Sequence, residues 1–513
     1  MQARARNWLT PAAWVGGVAV VLLIVFPRGF PNYDTIYALL WGRELAHGTG
    51  PEYGVALPPT PHPLADLLGV VTSPLGDGAI TVTMVIAYLA LGLIGYLVYR
   101  LGSSWFDRPI GAIAALIVLT RAPYLSNGLR AYVDLPYIAL VLGALTIETR
   151  SRRAGWPVLA LLALAGLLRP EAWLFSVAYL AYLALDLEQL RLRLERFRRR
   201  RGSGRATGVP LERADTQDAG LIRPAFVRTR GTFVALVILA LAAPIVWGVF
   251  DWITTGSPTY SFTGTRNTVE TLERQTGPVD LVLYGPRRLG EVLQWPGMVG
   301  AAGGIVLCLA TMRRRSVIGV VAAALALGAF AIVACGGLAI IPRYTMLAAA
   351  VLAVFVGAAL LGWRLLERGH PWRLPWQAFA VLVAVMFVVW GPNQYDLLHQ
   401  VDTDLTNQGR IESDLGKLAD SGAFEPLCGP IWVPNHRAVP RLAFNLDINP
   451  TRIVSSTEQR RQPRRGYFLD PASSFVIHNF ILDPNDRTRF SLSVPAGFTR
   501  VDANRSWVLY RRC

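Results

Sequence analysis

The chain has 513 residues, a formal net charge of +16, and a composition that is 53% hydrophobic and only 16% charged. Soluble globular chains carry about 25% charged residues, so this composition excludes a disordered protein, a coiled coil and a collagen-like rod, and it argues against an ordinary soluble enzyme. The apolar residues come in long blocks, which makes lipid the solvent for most of the chain.

The N-terminus carries Arg4 and Arg6 ahead of the apolar run Pro11–Phe26. No small-x-small cleavage site follows, because the chain continues Phe26-Pro27-Arg28-Gly29, and a retained first span is expected. A crossing helix needs about 20 apolar residues. Candidate spans are 11–26, 79–99, 109–120, 132–148, 156–168, 171–186, 232–250, 297–312, 316–335, 344–363 and 376–391. The expectation is therefore an all-α polytopic membrane protein of about 11 transmembrane helices. Two of these, 109–120 and 156–168, are short and would extend past a snorkelling Arg or cross only in part. With the N-terminus inside, the cytoplasmic pieces hold 25 Arg and the short outside pieces 10, as the excess of cations on cytoplasmic loops requires. This arrangement accounts for the basic charge. The only basic run that would suit nucleic acid is Arg191–Arg201, which lacks a basic–aromatic module, so no nucleic-acid partner is expected. The expected location is the plasma membrane, with the N-terminus cytoplasmic.

Three parts lie outside the spans. Residues 27–78 form a long outside loop. Residues 187–231 form an inside loop whose first half, around Arg191–Arg201, reads either as an amphipathic helix on anionic lipid or as a solvated topogenic loop. Residues 392–513 form an outside domain, separate from the membrane domain 1–391. Its short apolar runs Pro430–Pro434, Arg452–Val454, Ser474–Ile477 and Ser506–Tyr510 are broken by Pro, Asn, Asp and Gly, which predicts strands in a small α/β domain. Of four cysteines, Cys308 and Cys335 sit in apolar runs, whereas Cys428 and Cys513 fall in the polar C-terminal region. Those two would pair if the region faces an oxidising compartment, and remain thiols otherwise. No cysteine or histidine has zinc-site spacing.

The chemistry is expected in the outside loops. The first contains Asp34, then Arg43-Glu-Leu45-Ala-His-Gly48-Thr-Gly-Pro51-Glu-Tyr53, then Pro58-Pro59-Thr-Pro61-His62-Pro63-Leu64. Segment 34–46 has helical apolar spacing and suits the membrane interface. Leu168-Arg169-Pro170-Glu171 lies between two spans, and Ile341-Pro342-Arg343-Tyr344 opens another. An ionisable residue at membrane depth is a site candidate by default.

These segments resemble the GT-C superfamily of integral membrane glycosyltransferases, in the branch of the protein O-mannosyltransferases and the lipid A aminoarabinose transferases. In that branch an acidic residue follows span one, and an interfacial helix and a proline-rich stretch come next; "RPE" and "RY" elements follow between later spans. This sequence departs from the pattern in places. Thr35 stands where a second acid often follows, an extra residue separates Pro51 from Tyr53, and His62 lies near the place of a lysine. The resemblance covers the layout of roughly 1–390 and implies a polyprenyl-phosphate sugar donor. It implies Asp34 as the catalytic base, the alternative being a helix N-cap. It implies Arg343 and Tyr344 at the donor phosphate, with Arg169, Arg43 and His62 as further donor-site candidates. Asp134, in Tyr132-Val-Asp134-Leu-Pro136, and Glu171 would orient the acceptor or brace the spans, and Asp134 is also the candidate ligand for a divalent cation. The acceptor is a glycan, lipid or protein hydroxyl. The competing function class is a non-enzymatic lipid or polymer transporter with an outside partner-binding domain.

Overall fold

The computed structural model describes residues 2–55, 57–184, 230–455, 464–480 and 494–513. The expected basic helix at Arg191–Arg201 lies outside the described residues. The chain opens with α1 (Gln2–Val25), followed by two helices in the first loop, α2 (Tyr33–Ala46) and α3 (Pro63–Thr72). A run of helices follows: α4 (Gly78–Trp105), α5 (Arg108–Leu119), α6 (Ala122–Gly128), α7 (Asp134–Arg150), α8 (Trp156–Gly166) and α9 (Glu171–Ala184). Beyond residue 230 come α10 (Arg230–Thr255), α11 (Tyr260–Thr271), α12 (Gly277–Thr311), α13 (Arg313–Cys335), α14 (Met346–Leu361) and α15 (Arg373–Asp420).

A helix stands at each of the eleven segments expected to cross. By length and composition, six helices among the described residues are long and apolar enough to span a membrane: α4, α10, α12, α13, α15, and α14 with its flanking turns. A seventh is counted if α5 and α6, bent by 61° at Thr120–Arg121, make one broken span. The apolar parts of α1, α8 and α9 are shorter, and α7, at 17 residues, carries Asp134, Glu148 and Arg150. The count of about eleven therefore exceeds what length alone establishes. Two boundaries differ from expectation. The span expected at 297 is the second half of α12, which turns at Gln294 (φ 59°) just ahead of Pro296. The span expected to end at 391 continues without interruption to Asp420.

The helices bury their small and branched faces on one another and leave large apolar residues outward, such as Val388 and Val389 on α15 and Ile253 on α10. That pattern is stable only against lipid. The innermost helix is α14, buried along nearly all its length and packed on α5, α12, α13 and α15. Its first turn, a 3-10 turn over Pro342–Thr345, carries Arg343 and Tyr344. In the first loop, α2 and α3 cross at two glycines. A Cβ on Gly42 would meet the Cα of Gly69 at 2.5 Å, so the crossing requires hydrogen at that position. Asn32 starts α2 by accepting from the amides of Asp34 and Thr35, and Pro63 occupies the first turn of α3, where its missing N–H costs nothing.

The C-terminal region holds a five-stranded sheet of order β2-β1-β3-β5-β4, built from β1 (Ile431–Val433), β2 (Ile453–Ser455), β3 (Gly466–Pro471), β4 (Thr499–Ala503) and β5 (Trp507–Arg512). β1 lies parallel to β2 and β3, and β5 lies antiparallel to β3 and β4. Helices α16 (Val439–Leu446) and α17 (Ser474–Phe480) complete it, so the expected α/β character stands. Of the four expected strands three form, whereas Ser474–Ile477 is helical because Val476 and Phe480, four apart, share one buried face. Cys428 and Cys513 are bonded in a disulfide. The apolar core of the sheet (Ile431, Tyr467, Leu509) is continuous with Tyr37, Leu40 and Trp41 of α2 and with Ile411 and Leu415 of α15. The first loop is therefore gripped by the C-terminal region at the same end of the helical domain.

Candidate active site

At that end, Arg343 at the head of α14 faces Asp34 in the first turn of α2, with Nη1 3.5 Å from Oδ2. Because Asn32 supplies the cap, the Asp34 carboxylate is not occupied at the helix terminus and is free for other partners. Both side chains stay partly open, Arg343 at 24% and Asp34 at 29% exposure. The Arg343 guanidinium lies 5.3 Å from the ring of Tyr132 and 5.5 Å from that of Tyr344, geometry that holds a cation in place without neutralising it.

Tyr344 links this pair to a deeper one. Its ring lies 4.2 Å from the guanidinium of Arg169, which occupies the tight turn between α8 and α9. Arg169 is buried, and it donates to Glu171 through Nε (3.2 Å) and Nη2 (2.5 Å) and to Oδ1 of Asp134 through Nη1. A buried arginine held by two carboxylates in this way is rigid, and it fixes the positions of Asp134 and Glu171 in turn. Together Tyr137, Arg169, Glu171, Arg343 and Tyr344 form one wall of a cleft whose other wall is Ala326, Ala329 and Phe330 of α13 and Leu347 of α14. One side is charged and the other apolar, which suits a ligand with an anionic head and a hydrocarbon tail. A second groove lies elsewhere, on the outward face of α10 around Pro244 and Trp252, and is lined by Pro, Ile, Val, Gly and Trp.

The structure thus brings together Asp34, Arg343, Tyr344, Arg169, Asp134 and Glu171. His62 also belongs here. The turn that carries it is tied to the Arg169 turn by a hydrogen bond from the Leu64 amide to the Leu167 carbonyl (3.3 Å), and its ring meets Trp247 edge-on at 5.8 Å. Burial pushes the imidazole down to about 4, aided by Arg169 and Arg343 against the opposing pull of Asp34 and Asp134. At neutral pH His62 is uncharged, so it adds no cation to a phosphate site. Arg43 is not brought to this cleft. It donates to the carbonyls of Phe444 (3.0 Å) and Ala443 (3.3 Å), lies on the Phe444 ring, and pairs with Asp447 at 3.3 Å. Its charge goes to fastening α2 to α16.

Tyr132 and Tyr137 were missed by the sequence reading, although both flank Asp134 and Tyr137 follows it at the three-residue helical spacing. The apolar wall from α13 was missed as well, since its residues are indistinguishable in sequence from the rest of a span.

Two solved structures match the chain over nearly its whole length. The crystal structure of ArnT from Cupriavidus metallidurans bound to undecaprenyl phosphate aligns with a TM-score of 0.54 and 15% identity, covering 98% of each chain. The apo state of the same protein aligns with a TM-score of 0.50 and 14% identity, covering 99% of this chain and 98% of that one. The fold is that of the ArnT structures. No family model and no curated protein matches the sequence. At this identity the likeness speaks for architecture: a mostly helical chain with several candidate membrane spans and a small C-terminal sheet.

Proposed function

We propose that the chain is a membrane glycosyltransferase that moves a sugar from a polyprenyl-phosphate donor to an acceptor hydroxyl on the extracytoplasmic face. The supporting observation is the placement of Asp34 beside Arg343, which itself lines a cleft together with the apolar side chains of Ala326, Ala329, Phe330 and Leu347. Nucleotide sugars are cytoplasmic, so a transferase working on the far side of the membrane needs a lipid-carried sugar. The GT-C relative that aligns over 98% of the chain was crystallised with undecaprenyl phosphate.

In this reading the donor's phosphate displaces the Asp34 carboxylate from Arg343. The freed carboxylate takes the proton of the acceptor hydroxyl as its oxygen attacks the anomeric carbon. The bond between that carbon and the phosphate oxygen breaks, and the charge returning to the lipid phosphate is held by Arg343. Asp134 and Glu171 are engaged by Arg169 and supply no second nucleophile, so one displacement with inversion is the reaction these residues support. Among the described residues no group of three or more His, Cys, Asp or Glu is placed to hold a metal ion, and the steps above use the chain's own groups. The regions 1–391 and 392–513 divide the work in this reading: the helices hold the donor, and the C-terminal domain, which grips α2, offers the acceptor to Asp34.

The test is incubation of the purified protein with a panel of undecaprenyl-phosphate sugars, reading release of free undecaprenyl phosphate. The wild type should release it and Asp34→Asn should not, with unchanged folding. Undiminished turnover in Asp34→Asn would remove Asp34 as the base, and a wild type that releases no undecaprenyl phosphate from any donor in the panel would favour the transporter class.

A further inference from the structure

Three side-chain atoms around the cleft are buried and make no hydrogen bond: Nδ1 of His62, Oδ2 of Asp134 and Nε of Arg343. They are neighbours. The His62 turn is bonded to the Arg169 turn at Leu64–Leu167, Arg169 is bonded to Asp134, and Arg343 lies against Tyr132, two residues before Asp134. Buried polar atoms are almost always paired in a folded protein, and a cluster that is not calls for a partner. Lone unpaired atoms of this kind arise from packing accidents. Three on residues tied together in this way mark a site.

The chemistry of the three atoms divides the ligand. The Arg343 nitrogen donates only and fits a phosphate oxygen. The Asp134 oxygen accepts only, so it would repel a phosphate and needs an O–H or N–H group. His62 Nδ1 accepts or donates according to the ring's tautomer, and a hydroxyl serves either role; burial, with Arg169 and Arg343 nearby, keeps the ring uncharged, so it offers no cation to a phosphate. Two polar atoms that each suit a hydroxyl, beside a phosphate-binding arginine, describe the polar edge of a polyol attached to a phosphate. Trp247, edge-on to His62 and 5.8 Å from Trp173, supplies the aromatic flank on which the C–H face of a sugar ring rests.

We infer that His62 and Asp134 form a hydroxyl-recognising subsite for the transferred sugar, distinct from the arginine pair that takes the donor's phosphate. This inference rests on the glycosyltransferase reading above and assigns His62 a role different from the phosphate contact expected from its position in the sequence. The donor is accordingly a pentose or hexose with free hydroxyls directed at His62 and Asp134, and a donor deoxygenated there is a poor substrate.

The experiment compares two probes on full-length protein in nanodiscs: undecaprenyl phosphate alone, and the undecaprenyl-phosphate sugar that the wild type turns over. For His62→Phe the expected result is roughly tenfold weaker binding of the sugar donor, the worth of one good hydrogen bond of about 1.4 kcal/mol, with binding of undecaprenyl phosphate unchanged. His62→Gln, which keeps an acceptor, should recover part of the loss. Arg343→Gln should weaken both probes. If His62→Phe weakens both probes equally, His62 is a phosphate ligand and the inference is overturned; if it weakens neither, the residue is structural and the inference is overturned as well. Should His62→Phe fail to fold, His62→Ala takes its place under the same criteria. Failure of the glycosyltransferase reading itself looks different, because the wild type would then turn over no undecaprenyl-phosphate sugar, and the inference would fall with it.

Discussion

Arg343 and Asp34 come from elements more than 300 residues apart in sequence and meet at 3.5 Å, each partly exposed. Such a pair contributes little to stability, since partly exposed ion pairs are worth about 0–1 kcal/mol. Its value lies in being exchangeable: a phosphate can replace the carboxylate on the guanidinium, which frees the carboxylate at that moment. Asp34→Asn should therefore lower turnover by roughly 10²–10⁴-fold, the usual worth of a general base, while leaving the melting temperature and undecaprenyl phosphate binding near wild type. Turnover and thermal melting measured on the same preparation check this.

Arg169 should behave in the opposite way. It is buried between Asp134 and Glu171, so removing its charge strands two carboxylates away from water. Arg169→Met should destabilise by about 3–5 kcal/mol, the cost of leaving buried charge uncompensated, and should show first as loss of folded protein in size-exclusion profiles. Arg343→Gln should fold normally and lose lipid phosphate binding. If the two variants behave alike, the division between a structural and a ligand-facing arginine is wrong.

What the sequence made legible was set by local signals. Long apolar runs and the distribution of arginine located the helices, and the isolated ionisable residues Asp34, Arg169, Glu171 and Arg343 stood out because charge at membrane depth is costly. Arg43 looks the same by that criterion, yet its partners Ala443, Phe444 and Asp447 lie about 400 residues away, and no local pattern announces a contact of that range. The strand β4 is an exposed edge of mixed polar residues and carries no alternation to detect. β3 does contain a buried run, Tyr467-Phe468-Leu469, but so does α17, and short apolar runs do not separate strand from helix. The pairing of Cys428 with Cys513 depended on topology, which composition could only make conditional.

The Arg43 contacts give a prediction of their own. Arg43→Ala removes two charge-assisted hydrogen bonds to the carbonyls that end α16, a loss of roughly 1–3 kcal/mol. The damage should appear as faster proteolysis of the C-terminal domain, with the chemical step of the remaining folded protein little changed. Asp447 is mostly exposed, so Asp447→Ala should do much less.

The disulfide closes a segment of 85 residues that begins just before β1 and ends at the last residue after β5. Cross-linking a loop of that length restricts the unfolded chain and typically stabilises by about 2–4 kcal/mol. Reduction with dithiothreitol, or the Cys428→Ser and Cys513→Ser double variant, should lower the unfolding midpoint of the C-terminal domain and leave the helical domain's transition in place. An unchanged midpoint would show that the sheet and its shared core with α2 suffice.

Glu412 supplies the pH dependence. It lies on α15 about 20 residues beyond the expected end of the span at 391, a distance of roughly 30 Å along a helix, and therefore within the C-terminal domain. Burial pushes its carboxyl up to about 7, against the pull of Arg441 and Arg437, and one of its oxygens has no hydrogen bond. The folded state thus holds a proton that the unfolded chain, with an ordinary glutamate, has already released. Between the two values folding takes up a proton, so the stabilising contribution is fully present below the unfolded value near 4.3 and is lost as pH rises through about 7. The C-terminal domain should melt at a higher temperature at about pH 5.5 than at about pH 8. Glu412→Gln, which fixes the side chain in a neutral form, should flatten that difference and raise the midpoint at the alkaline end. A pH profile in Glu412→Gln parallel to that of the wild type would assign the dependence to other groups, of which Asp404 and Asp470 are also raised by burial.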